Sequence, residues 1–237
     1  MNVATRVAAE NDARPMRLFI AARSRFSEDA LAAAVERGVD QLVVLGAGLD
    51  TYAYRGAHAY RLRIFEVDHP ATQAWKRQRL HDMRLAVSPA VTFVAVDFDA
   101  ESTAVALAAA GLAPERPVFY SWLGVVPYLA EPSLDTVLAE IAAHAGGADV
   151  VFDYSNSPEQ RSAHDRERFE RRREVVAALG EPWHSTNDTL ALHAKLEALG
   201  FDIAADLDPR ALMTIYASDL APRSPEAGGH VVLARKT

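Results

Sequence analysis

The sequence predicts an α/β fold of the Rossmann-like type: a seven-stranded, mostly parallel sheet with an antiparallel C-terminal strand and helices on both faces. Three observations carry this. The apolar run Leu42-Val43-Val44-Leu45 leads straight into Gly46-Ala47-Gly48. A second apolar run, Ile64-Phe65-Glu66-Val67, follows about twenty residues on, the spacing of a βαβ unit, and ends on Asp68. From residue 27 onward strand and helix patterns alternate, and the chain closes on two late strand patterns, 201–207 and 230–235.

The elements follow in order. Ser27 is placed to cap a helix running to Arg37, with Glu28 and Asp29 in its first turn and Gly38 as its stop. Residues 41–46 and 62–68 read as the first two strands, and Pro70 opens a helix over 70–86. Residues 91–96 form a third strand tipped by Asp97-Phe98-Asp99, and a helix from about 101 stops at Gly111. After a fourth strand at 117–123, Ser133 is expected to cap a helix whose Leu134, Val137, Leu138 and Ile141 share one face. A fifth strand spans 148–154. The charged stretch 158–174 interleaves acids with arginines and reads as a solvated helix face. A helix over 188–199 ends at Gly200. No helix of ordinary length is expected between the last two strands, which suits an antiparallel pair added to a parallel sheet and disfavours an ordinary dehydrogenase. Residues 27–237 form the nucleoside-binding domain, with 1–26 a helical lid or cap.

Composition narrows the class. Half of the 237 residues are hydrophobic, enough for a sizeable core, and the net charge of −7 disfavours nucleic acid as partner. Cysteine is absent, which removes disulfides, thiolate metal sites and cysteine nucleophiles and fits a cytoplasmic location. No apolar stretch nears membrane-span length, and the N-terminus, carrying Glu10 and Asp12, does not read as a signal peptide. Lysine occurs only at 76, 195 and 236 among many arginines and alanines, a bacterial, GC-rich signature. The expected partner is a small-molecule acceptor, with the chain a monomer or homodimer.

The glycine turn and Asp68 read as a nucleoside site, the acid accepting hydrogen bonds from ribose hydroxyls. A simple tight turn at Gly46 and Gly48, and an N-cap role for Asp68, are the plainer alternatives. A dinucleotide needs a third glycine to bring its pyrophosphate onto the helix N-terminus. Here Thr51 stands at that position, and Asp50 precedes it, placing negative charge where phosphate would lie. S-Adenosylmethionine has no phosphate and tolerates that acid. No Walker-type loop and no metal-ligand spacing occur, so no metal is expected.

Ala22-Arg23-Ser24-Arg25-Phe26, Leu45-Gly46-Ala47-Gly48-Leu49-Asp50-Thr51, Tyr54-Arg55, Phe65-Glu66-Val67-Asp68-His69-Pro70, Val96-Asp97-Phe98 and Gly180-Glu181-Pro182-Trp183 come in that order. Together, over about residues 15–236, they resemble the leucine carboxyl methyltransferase family, especially its bacterial branch of S-adenosylmethionine-dependent methyltransferases with mostly unassigned acceptors. The resemblance implies a class I methyltransferase fold, O-methylation, S-adenosylmethionine as donor and S-adenosylhomocysteine as product. It implies that Arg23 grips the methionine carboxylate, Gly46 contacts the methionine part, Asp68 holds the ribose, and Asp97 with Phe98 reads adenine. Ala47, Gly48 and Asp50 complete the expected cofactor set. Two departures stand out: Leu123 occupies a position where relatives often carry an acid, and the N-terminal region is short.

A carboxylate acceptor is already ionised and needs no general base, whereas a hydroxyl usually does. The sequence shows no His–Asp dyad by spacing, which favours a carboxylate or an acidic enol or phenol. Tyr128, Tyr154 and His184 are the candidate catalytic residues, the tyrosines because they fall near the carboxyl ends of strands; core packing and an exposed loop are their bland alternatives. Arg55 is expected to pair with Asp50. The function this supports is methylation of a carboxylate or hydroxyl of a small metabolite. The alternatives are a nicotinamide-dependent oxidoreductase and a non-catalytic S-adenosylmethionine-binding protein.

Overall fold

The computed structural model describes residues 3–220 and 229–237, with side chains from Arg14 onward. The apolar runs pair into one sheet: β1 (Gln41–Leu45), β2 (Arg63–Asp68), β3 (Val91–Ala95), β4 (Val118–Trp122), β5 (Ala148–Ser155), β6 (Asp202–Leu207) and β7 (Gly229–Lys236). Their order is β3-β2-β1-β4-β5-β7-β6. The first five strands pair in parallel, and β7 lies antiparallel between β5 and β6.

The helices are α1 (Val3–Glu36), α2 (Tyr52–Arg55), α3 (Pro70–Asp82), α4 (Thr103–Ala109), α5 (Glu131–Ala142), α6 (Ala163–Ala178), α7 (Thr189–Ala198) and α8 (Pro209–Tyr216). All five residues of β1 are buried, and alternate residues serve opposite cores. Val43 and Leu45 pack with Phe65, Trp122 and Phe152 against α4, α5 and α7. Leu42 and Val44 pack with Phe119 and Val151 against α1 and α8. Covering both faces is why these strands read as unbroken apolar runs. Among the described residues no helix is long and apolar enough to cross a membrane.

Three sequence expectations are corrected. Ser27 does not start a helix; it lies buried inside α1, its Oγ 3.1 Å from Ser121 Oγ. Phe19, Ala22, Ala30, Leu31, Ala34 and Val35 all bury on one core, so the apolar stripe continues across the supposed cap. The helix thus crosses the 26/27 boundary drawn for a separate cap, of which residues 1–2 and the side chains before Arg14 lie outside the described residues. Ser133 is not a cap either: α5 starts at Glu131 with Pro132 in its first turn, and Ser133 Oγ donates to Asp99 at 2.6 Å. An eight-residue helix, α8, does stand between β6 and β7. Asp208 accepts the Ala211 N–H at 2.7 Å and Pro209 follows it, a start signal hidden by the brevity of the helix.

The β6–β7 end is held by a buried polar cluster. Asp206 accepts hydrogen bonds from Tyr154 Oη at 2.9 Å and pairs with His193 Nε2 at 2.6 Å and His230 Nδ1 at 2.7 Å. Fold, not spacing, assembles these His–Asp contacts. Burial alone would raise the Asp206 carboxyl, but the hydrogen bonds from His230, His193 and Tyr154 outweigh it and hold it below the usual range. A carboxyl depressed in the folded state contributes stability above its unfolded pKa, and that stability is lost as pH falls through the folded value. Asp206→Asn is therefore expected to lower stability at pH 7 by about 1.5–3 kcal/mol, the worth of charged hydrogen bonds. In denaturant titrations the gap to wild type should shrink steadily below about pH 4; a gap independent of pH would exclude the charged cluster as its source.

Candidate functional site

The chain leaves β1 toward β2 and β3 on one side and later toward β4 and β5 on the other. The crevice above β1 and β4 is therefore the topological switch point, where ligands bind on such sheets. Gly46 (φ +64) and Gly48 (φ +43) make the turn there. A Cβ on Gly46 would run into the Val125 side chain, so glycine here lets the loop after β4 close onto the loop after β1. Gly48 has room for a Cβ but keeps a left-handed backbone. Ala47 is buried and its N–H bonds Val67 O at 3.0 Å.

Asp68 stands at the tip of β2 and accepts the N–H groups of both Gly48 and His69. It fixes the turn, while the cap of α3 is His69, whose Nδ1 accepts from Ala71 N at 3.2 Å. Asp50 is committed to the scaffold: Oδ1 accepts the Tyr52 N–H at 2.7 Å and its carbonyl accepts Lys76 Nζ at 2.9 Å. Arg55 does not pair with Asp50; it clamps Glu28 at 3.0 and 2.5 Å and reaches Thr51 at 2.8 Å. Lys76 also pairs with Glu66 at 2.5 Å, both side chains nearly inaccessible, so a buried ion pair sits beneath the turn. Burial raises the Glu66 carboxyl, with Lys76 opposing. Asp97 follows β3 and accepts the Asp99 N–H at 3.0 Å; Ser102, not Asp97, caps α4. Phe98 packs partly buried against the core.

Arg23 of α1 forms an ion pair with Asp153 at the tip of β5, with side-chain exposures of 14% and 7%. The other Asp153 oxygen accepts the Gly124 N–H at 2.5 Å. Arg23 Nε is buried without a hydrogen-bond partner among the described residues. These three residues line one cavity of about 830 Å³, within the range of small-molecule sites. Phe19 and Ile20 of α1, Tyr128 after β4, Met213 of α8 and Trp183 also line it.

Of the three candidate catalytic residues, Tyr128 lines the cavity and is half-buried. Tyr154 lines it too, but its hydroxyl donates to Asp206 and lies 3.0 Å from Thr189 Oγ1, and burial pushes the phenol far above its usual range. His184 is exposed and outside the lining, held by its backbone N–H on Pro127 O at 2.7 Å; its neighbour Trp183 is the lining residue.

Sequence reasoning missed the largest contribution. The charged stretch is not merely a solvated face: Asp165, Arg168, Phe169, Arg172 and Val176 of α6 line the cavity, with Arg161 before the helix. Their spacing of three and four residues was the available signal, masked by exposed Arg166, Arg171 and Arg173 on the other side. Arg161 lies 4.1 Å over the Phe169 ring, which stacks on Trp183 at 5.5 Å. Arg161 also donates to Ser155 Oγ at 2.9 Å and Asn156 O at 2.8 Å.

Comparison with known proteins bears on this geometry. Residues 2–142 match the leucine carboxyl methyltransferase family. The chain is 31% identical over 200 residues to a Bacillus subtilis (strain 168) protein named "Putative S-adenosyl-L-methionine-dependent methyltransferase YktD", covering 84% of this chain and 66% of that one. It is 32% identical over 220 residues to a similarly named protein of Mycobacterium avium (strain 104), covering 84% and 72%. A third relative, from Mycolicibacterium gilvum, is matched over 55% of its length, so the chain spans roughly half to three quarters of these three proteins. Among solved structures, a DUF574 family protein from Streptomyces avermitilis superposes with a TM-score of 0.70 at 16% identity, covering 99% of this chain and 91% of that one. Magnesium protoporphyrin IX methyltransferase from Synechocystis, solved with bound S-adenosylhomocysteine, superposes with a TM-score of 0.55 at 13% identity, covering 92% and 84%. The sheet order and helix layers are thus those of the class I S-adenosylmethionine-dependent methyltransferases, and the chain belongs to the leucine carboxyl methyltransferase family.

Proposed function

We propose that the protein is an S-adenosylmethionine-dependent O-methyltransferase that methylates a carboxylate or hydroxyl of a small metabolite. Family and fold support the donor. The observation that carries the acceptor reading is the cavity of about 830 Å³ whose lining begins at Arg23, Gly124 and Asp153, directly after the loop that touches the Gly46 turn.

The residues present fit the donor. The Gly46–Gly48 turn keeps Cβ atoms out of the crevice, Asp68 brings a carboxylate to the tip of β2, and Arg23 retains a buried Nε–H without a partner among the described residues. In this reading Asp68 holds the ribose, Asp97 and Phe98 the adenine, Arg23 the methionine carboxylate, and the Gly46-Ala47-Gly48 backbone the methionine chain, with Asp50 shaping the turn. The chemistry supplied is an electrophilic methyl group: as the acceptor oxygen bonds to it the C–S bond breaks, the electron pair stays on sulfur, and S-adenosylhomocysteine is the product.

The protein's task is then to position and desolvate the acceptor. The lining acids already have partners: Asp153 takes Arg23 and Gly124, and Asp165 accepts the Ser162 hydroxyl at 2.8 Å. The Tyr154 phenol stays protonated. Such a lining suits an acceptor that arrives ionised, so a carboxylate fits better than a hydroxyl. Residues 14–23 of α1 and the inner face of α6 cap the acceptor.

Two measurements test this. Isothermal titration with S-adenosylhomocysteine, NAD and NADP is expected to show micromolar binding of S-adenosylhomocysteine alone; a preference for a dinucleotide overturns the reading. Asp68→Ala is expected to weaken S-adenosylhomocysteine at least tenfold, since charged hydrogen bonds are worth about 1.5–3 kcal/mol. Unchanged affinity in a folded variant would remove Asp68 from the site.

A further inference from the structure

The turn after β1 is gripped at two points. At the tip of β2, Asp68 accepts the Gly48 N–H. From the middle of α3, Lys76 donates to the Asp50 carbonyl at 2.9 Å, where the turn ends. Asp50 carries that constraint back into the turn, because its N–H donates to Ala47 O at 2.6 Å and the Ala47 N–H in turn donates to Val67 O at 3.0 Å. The backbone from Ala47 to Asp50 is thus closed at one end by β2 and at the other by an ammonium. In the methyltransferase reading the Asp68 grip is shared, since the same carboxylate also receives the ribose. The Lys76 grip is out of a ligand's reach: its side chain is 5% exposed.

The counter-ion shows that this ammonium is not there for packing. Glu66 of β2 pairs with Lys76 at 2.5 Å, in register with Val44 of β1. Its face of the sheet is otherwise the apolar layer of Leu42, Val44 and Ile64. An apolar pair of similar volume would hold such a layer as well or better, so the fold alone does not account for the charges. What apolar side chains could not supply is the hydrogen bond to the Asp50 carbonyl. Burial raises the Glu66 carboxyl and Lys76 lowers it, while Asp50 and Asp68 add further upward pushes. Lys76 is thus the cation set among three acids that gather at the turn. We propose that Lys76 is a positioning residue for the cofactor: without touching the ligand, its ammonium holds the Gly46–Asp50 backbone in the form that binds S-adenosylmethionine. The inference rests on the methyltransferase reading for the identity of that ligand.

Removing the ammonium alone would strand the Glu66 charge, so the comparison is between Glu66→Gln and the double variant Glu66→Gln with Lys76→Met, which differ only at residue 76. S-Adenosylhomocysteine affinity is measured by calorimetry well below each variant's melting midpoint. Glu66→Gln keeps the contact with the Asp50 carbonyl and is expected to bind within about threefold of wild type; adding Lys76→Met is expected to weaken binding at least tenfold. A residue serving only the fold would lower the melting midpoint and leave the affinity of the folded protein unchanged, and that outcome overturns the proposal. A second measurement needs no variant. Lysine occurs only at 76, 195 and 236, so acylation by N-hydroxysuccinimidyl acetate can be followed site by site through peptide masses. Ligand binding and the ammonium contact must reinforce one another reciprocally when both favour one form of the turn. Saturating S-adenosylhomocysteine is therefore expected to slow acylation of Lys76 at least tenfold and to leave Lys195 and Lys236 within about twofold. Equal rates at Lys76 with and without ligand overturn the proposal, whether or not the double variant folds. A wild-type protein that binds no S-adenosylhomocysteine removes the methyltransferase reading and this inference with it. Wild-type binding that both variants retain overturns this inference alone.

Discussion

Three separate parts of the chain meet at the Asp153 carboxylate, and the site depends on that meeting. Arg23 arrives from α1, the Gly124 N–H from the loop after β4, and Asp153 itself ends β5. Both charged side chains are largely withdrawn from water, so neither would be tolerable alone; removing one partner of such a pair typically costs about 3–5 kcal/mol. The backbone N–H adds a charge-assisted hydrogen bond to the same carboxylate. Gly124 has φ +75, and a Cβ there would lie 2.8 Å from Arg23 Nη2, so the loop must be glycine for the arginine to lie against it. With α1 tied down at this point, its residues from Arg14 to Ile20 become a wall of the cavity rather than a loose end.

Beneath the Gly46–Gly48 turn the same device recurs. Lys76 and Glu66 pair in near-complete burial, and Lys76 spends another proton on the Asp50 carbonyl. The ammonium thereby fixes the turn from below, while Asp68 fixes it from the side through the Gly48 N–H. Buried charge is an expensive way to stabilise a fold and an effective way to specify one backbone path. Two such pairs, Lys76–Glu66 and Arg23–Asp153, flank the switch-point crevice, which is what a preorganised turn requires.

The strands were legible because a sheet covered on both faces writes itself as unbroken apolar runs, and the glycine turn because it interrupts the first of them. The family resemblance followed from motifs that sit at strand tips. What could not be read was long-range pairing: Arg23 and Asp153 are 130 residues apart, and Asp206 meets His193 and His230 across 13 and 24. Ser27 misled because a good cap residue is also an ordinary polar residue once an apolar stripe continues past it. The arginine stretch misled for a different reason. Interleaved charges look solvated until the helix phase is known, and only then do Arg168, Phe169 and Arg172 fall on the inner side.

The distribution of charge along the cavity also bears on what the site is able to accelerate. A carboxylate that becomes an ester gives up its negative charge as the new bond forms, so a strong cation beside the reacting oxygen would stabilise the ground state and slow the step. Beside Gly124, whose neighbour Val125 meets the Gly46 turn, Arg23 is matched by Asp153, and the pair is neutral overall. Arg168 and Arg172 line the cavity from α6 instead. Contacts there would be the same before and during transfer, so they contribute to binding and orientation and not to lowering the chemical barrier. Leu123 packs against the apolar core, and the next residue, Gly124, gives its N–H to Asp153. In the proposed reaction the Arg23–Asp153 pair would leave its surroundings close to neutral, where an ionised oxygen stripped of water is most nucleophilic.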